Sequence, residues 1–171
     1  MCHALLGSVK VPLARRIQIN ETRMGGLVSV FGFTLIPMVF VAGFLVDEIG
    51  KQSVLGGGFL LVILSMVMLS RLTTYRSALL AVLILGTGWS ALVNVLNVTS
   101  PPAFLPLDEI KERMSYAMNM GEFIFGMGAF LTPIMIAVLI RKVGFQKTFL
   151  VFAALSVVPL LLGLGVDWDR L

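Results

Sequence analysis

Met24 to Val46 contains no charged side chain, and neither do Ser53 to Ser70, Ser77 to Val98 and Thr148 to Val166. A fifth stretch, Phe123 to Ile140, is equally free of charge and extends back to Ser115 once Glu122 is admitted. Crossing about 30 Å of hydrocarbon takes roughly 20 helical residues, so runs of this length constrain the fold more than any motif does. They read as an all-α integral membrane protein, a single transmembrane domain over residues 1–171 with spans at about 24–46, 53–70, 77–98, 115–140 and 148–166.

Composition agrees: 58% of the residues are apolar and 13% charged, against roughly 45–50% and about 25% in an ordinary soluble domain. Pro37, Pro133 and Pro159 fall inside apolar runs, a placement that breaks soluble helices and that membrane helices tolerate. The single cysteine, Cys2, excludes an intrachain disulfide, and the single histidine, His3, leaves no metal-ligand set. No cofactor is implied. The net charge of +4 comes from basic residues scattered through short connections, not from a continuous basic face of the kind that binds nucleic acid. They flank membrane spans, and a nucleic-acid partner is not expected.

The first residues, MCHALLGSVKVPL, are mildly apolar, interrupted by Lys10 and too short to cross; they lack the basic start and small-residue cleavage pattern of a signal peptide. ARRIQINETR, which follows, reads as a polar turn. Tight connections come next: DEIGKQ, RLTTYR and RKVGFQK. One connection is longer, TSPPAFLPLDEIKERM, in which Pro101 and Pro102 are expected to stop the preceding helix and DEIKER to form one solvated turn.

Laying Gly50 on Gly144 pairs Leu45 with Leu139, Ile49 with Val143, Gln52 with Gln146, and Phe31-Gly32 with Phe125-Gly126. The acids Asp47-Glu48 are replaced by the bases Arg141-Lys142. Three spans separate the two connections, an odd number, so the turns face opposite sides of the membrane. Inverted three-helix repeats of this kind are a recurrent construction of secondary transporters.

Gly43-Phe-Leu-Val-Asp47-Glu-Ile-Gly50-Lys51 resembles the loop between the second and third helices of the major facilitator superfamily, usually written G-x-L-a-D-r-x-G-r-[KR]. The resemblance extends over nearly the whole chain. Pro12-Leu13, RIQIN and Arg23-Met24-Gly25-Gly26 look like the end of the family's first helix and the start of its second; LILGTGWS looks like its fourth; GMGAFLTP with VGFQKTF looks like its fifth and the turn to its sixth. It implies a partial six-helix half: the last third of helix one plus five full helices, built of inverted three-helix repeats, with the second half absent.

Glu48 and Gln52 stand where the family usually has basic residues, and Val82 where its fourth helix often has arginine. The family's topology puts DEIGKQ, Lys111, Arg113 and Arg170 in the cytoplasm, leaving Arg15, Arg16, Arg23, Arg71, Arg76, Arg141, Lys142 and Lys147 outside. The positive-inside rule prefers the reverse.

In the third span Gly86, Ser90, Asn94 and Asn97 share one helical face, and in the fourth Asn119, Glu122, Gly126, Ala129 and Pro133 do the same. Polar side chains in a membrane turn inward, toward neighbouring helices or a solute path. Ser90, Asn94, Asn97, Asn119 and Glu122 are therefore the candidate substrate or coupling face. Glu122 either exchanges a proton during transport or reaches headgroup water, being only about two turns from Glu112 and Arg113. The resemblance assigns the gating loop to Asp47, with Gly43 and Gly50 permitting a tight turn and Lys51 adding charge.

No nucleophile stands beside a base, so an enzyme is not expected. The chain reads as part of a solute transporter of the cell (inner) membrane, working with a second half or as a homodimer. The alternative is a non-transporting membrane scaffold or accessory subunit.

Overall fold

Flanking polar residues set where two of the apolar runs begin their helices. The computed structural model describes residues 2–106, 109–166 and 168, apart from the side chains of Cys2 and His3. The described residues form six helices: α1 (Cys2–Arg16), α2 (Glu21–Ile49), α3 (Lys51–Ser70), α4 (Tyr75–Phe104), α5 (Ile110–Val143) and α6 (Phe145–Leu164). Asn20 caps α2 by accepting from Arg23 N at 3.0 Å. Thr74 and Ser77 cap α4 reciprocally, each pair satisfying backbone donors that a helix start leaves free. The five helices α2 to α6 are long and apolar enough to cross a membrane.

Three sequence expectations fail at helix ends. Ala14, Arg15 and Arg16 continue α1 instead of starting a turn; the reversal lies at residues 17–20, with Gln18 at φ 52°. Pro101 and Pro102 do not stop α4, which runs on to Phe104. Their fixed φ suits a helix, and the carbonyls that lose donors, those of Asn97 and Val98, lie near the helix end where water can replace them. Leu105 N then donates to Pro101 O at 3.1 Å. DEIKER is likewise no separate turn: from Ile110 onward it belongs to α5, which bends at Arg113 (φ −117°, ψ 19°) beside a 2.8 Å Arg113–Glu109 ion pair. Asp108 lies outside the described residues.

At 15 residues, α1 spans about 22 Å, short of the hydrocarbon thickness. It is nonetheless docked, with Leu5, Leu6, Val9 and Leu13 buried along one face. Neighbour pairs then define the bundle. Gly26 faces Tyr75, Gly86 faces Thr34, and Gly43 faces Asn94, so α2 and α4 run parallel. Ser65 meets Ala81 while Gly58 meets Leu92, making α3 and α4 antiparallel. Gln52 meets Leu164 across α3 and α6. Helix α1 lies along α5, ending beside Ile140 and Phe145.

Glycine sets a close seam between α3 and α4. A Cβ at Gly88 would lie 2.8 Å from the Gly58 carbonyl oxygen and 2.9 Å from Leu61 Cβ, so only a residue without a side chain lets α3 and α4 approach this closely. The outside of the bundle is apolar: Phe33, Phe40, Phe44, Phe123 and Phe130 are each more than 60% exposed. Such a surface suits lipid; a soluble monomer rarely presents so large an apolar patch.

Candidate functional site

The turn between α2 and α3 is a single residue long. Gly50 ends α2 and begins α3 at φ 83°, ψ 157°, and Gly144 joins α5 to α6 at φ 84°, ψ 166°. Both turns carry the same bonds: Gly50 N to Val46 O and Val54 N to Gly50 O in one, Gly144 N to Ile140 O and Thr148 N to Gly144 O in the other. Side-chain-bearing residues essentially never occupy this backbone region, and the alignment of Gly50 with Gly144 thus corresponds to one repeated conformation.

Gly43 plays no part in that turn. It lies inside α2, where its missing side chain leaves room for Asn94, whose Oδ1 would be 3.6 Å from a Cβ there. Asp47 and Glu48 occupy the exposed last turn of α2, and Lys51 opens α3. Gln52, which replaces a usual basic residue, donates from Nε2 to Leu164 O at 3.3 Å and fastens the turn to the end of α6. Trp168 lies against the same hollow, its Nε1 donating to Gly163 O at 2.7 Å. The Gln52 contact was not legible beforehand, since it joins segments far apart in sequence.

The polar stripe of α4 divides between two neighbours. Asn94 donates from Nδ2 to Val39 O at 3.1 Å and to Ser90 O at 3.0 Å, tying α4 to α2. Ser90 is buried, and among the described residues its hydroxyl is the one buried side-chain oxygen or nitrogen without a hydrogen bond. Asn97, rotated onward, leaves this seam and lines a cavity of about 370 Å³ between α4 and α5 with Glu122, Ser100, Trp89 and Phe125. Asn119 is exposed on α5 and does not line that cavity. The structure therefore brings Asn97 and Glu122 together at the cavity, leaves Asn119 one turn from Glu122 on the outer face of α5, and turns Ser90 and Asn94 away toward α2.

The cavity has a mixed lining. The Trp89 and Phe125 rings stand 5.7 Å apart at 35°, and Gly121 comes so close to α4 that a Cβ would be 3.0 Å from Ser100 Oγ. Sequence reasoning passed over Ser100, Phe104, Gly121 and Phe125. Their signal was present: Trp89, Val93, Asn97, Ser100 and Phe104 recur at helical spacing on a stripe beside the one chosen. Periodicity alone does not say which of two adjacent stripes meets which helix.

Depth follows from the seam between α3 and α4. With Gly58 opposite Leu92 and Ser65 opposite Ala81, the start of α3 is level with the region of Thr99. Helix α4 continues roughly 7 Å farther, to Phe104, at about 1.5 Å per residue. Ser100, Gly121 and Glu122 belong to this extension, on the end of the bundle that carries Asp47 and Lys51.

Six helices, packed as α2 on α4, α3 on α6 and α1 on α5, with the same glycine turn at both ends, define a polytopic membrane bundle whose second three helices repeat the first three upside down. The sequence profile of the Major Facilitator Superfamily matches residues 1–170. The chain belongs to that family, which comprises transporters, not enzymes, whose members carry small-molecule solutes and sit in a lipid bilayer. No curated protein and no solved structure matches significantly.

Proposed function

We propose that this chain is the amino-terminal half-bundle of a secondary transporter of the cell (inner) membrane, moving a small solute by alternating access against a second half-bundle. One observation carries the reading. Helix α5 presents Asn119 and Glu122 on an exposed face whose neighbours are Phe123, Met127 and Phe130. A carboxylate and an amide on an apolar membrane surface are costly unless a partner or water covers them, which supports a second bundle against this face.

On this reading the Asn97–Glu122 cavity is part of the solute path near its mouth, and Asp47 with Lys51 closes that mouth by meeting the partner half. Asn94 favours a structural role, because its amide is committed to the Val39 and Ser90 carbonyls. That contact is also what a non-transporting scaffold would use.

Uptake of a labelled panel of sugars, amino acids and organic acids into proteoliposomes tests the proposal, with the chain alone and together with a candidate six-helix second half. The expected result is uptake only in the pair, reduced by Asp47→Asn. No uptake in either preparation favours the scaffold. In the transporting pair, Glu122→Gln should alter the pH dependence of uptake if Glu122 couples protons; an unchanged profile removes that role.

A further inference from the structure

The two ends of the bundle differ sharply in charge. Where α1, α3 and α5 end and α2, α4 and α6 begin, there are eight basic residues, Arg15, Arg16, Arg23, Arg71, Arg76, Arg141, Lys142 and Lys147, and one acid, Glu21. All eight are exposed. Within this end, α1 and the turn from α5 to α6 border a groove of about 460 Å³ lined by Val11, Pro12, Arg15, Arg16, Ile140 and Phe145. Its floor is apolar and its rim holds two guanidiniums.

Arg16 is held in place. Its guanidinium lies 5.2 Å from the centre of the Phe145 ring, Nε donates to Leu72 O at 3.4 Å, and Nη2 to Ser70 O at 3.5 Å. Among the described residues the Arg15 side chain forms no hydrogen bond or ion pair, although it shares the adjoining hollow with Lys10 and Glu21. Arg141 and Lys142 follow Ile140 directly, and Lys147 stands two positions beyond Phe145.

We infer that this groove binds the headgroup of an anionic phospholipid. Arg15 and Arg16 would take the phosphodiester, for which planar guanidiniums are well shaped, while an acyl chain lies along Val11, itself 59% exposed, and Ile140. A soluble anion would satisfy the arginines and leave the apolar floor in water. A zwitterionic lipid would bring its own cation into an end already crowded with them. Basic pockets between membrane helices are a general solution for anionic headgroups.

The test is native mass spectrometry of the full chain in mild detergent with equimolar phosphatidylglycerol and phosphatidylcholine, thermal unfolding of each variant confirming that it is folded. The wild type should retain phosphatidylglycerol preferentially. Arg15→Gln should reduce that preference about five-fold, the usual effect of one basic residue near an anionic surface, and Arg16→Gln at least as much. Because Arg16 also contacts the end of α3, Arg15→Gln is the deciding variant. Arg71→Gln with Arg76→Gln, at the same end but off the groove, should leave the preference in place. Absence of any preference, or equal loss in the Arg71 and Arg76 double variant, overturns the groove as the site. Displacement of the lipid by millimolar inorganic phosphate overturns it in favour of a soluble anion.

Discussion

Gly50 and Gly144 are the two residues with the least freedom to change. A side chain at φ near 83° and ψ near 160° costs about 1–3 kcal/mol, and no loop residue on either side is available to absorb the strain. Gly50→Ala and Gly144→Ala should each destabilise the bundle by about that amount, measured by thermal unfolding in detergent. Gly126→Ala, at an open helical position, should be neutral or slightly stabilising. Equal behaviour of all three would show that the turns are not conformationally selected. At Asn94 the expected loss is smaller: Asn94→Ala removes one bond between α2 and α4, about 0.6 kcal/mol on average for such contacts in membranes and no more than about 2. Larger destabilisation would indicate that Asn94 also organises Ser90, whose buried hydroxyl has no bond of its own.

Among the elements, the membrane helices were visible as charge-free runs because an apolar solvent leaves a continuous composition signal. Their ends were harder to read. Pro101 and Pro102 look like stop signals, yet α4 passes through both, because proline ends a helix only when the carbonyls it orphans find no other partner. Arg15 and Arg16 look like a loop and instead complete α1. The contact between α3 and α4 was invisible for a different reason: Gly58 and Gly88 are ordinary glycines in sequence and become a seam only when two helices cross there. Gly88→Ala should destabilise by about 1–3 kcal/mol through overpacking, since its new methyl meets backbone instead of a flexible side-chain tip. Unchanged thermal unfolding would mean that α3 and α4 are less closely packed than described.

Over the whole molecule, the repeat was legible from a short alignment, and the matching backbone angles of Gly50 and Gly144 give it a conformational basis. The repeat is not symmetrical in detail. Phe31 is fully buried, whereas its counterpart Phe125 is 40% exposed at the α4–α5 cavity. The candidate site was only half legible, because Asn97 and Glu122 come together through packing of α4 on α5 that no pattern within either helix specifies.

Everything proposed for this chain depends on the two glycine turns lying on opposite sides of a membrane. In a Cys2→Ser background, Gln52→Cys and Gln146→Cys place one reporter beside each turn, for labelling with a membrane-impermeant maleimide in intact expressing cells. The account predicts labelling at position 146 from outside and at position 52 only after lysis, as the family's orientation requires. The reverse pattern would keep the inverted repeat and reject that orientation in favour of the positive-inside rule. Labelling of both positions from the same side would contradict the inverted bundle itself.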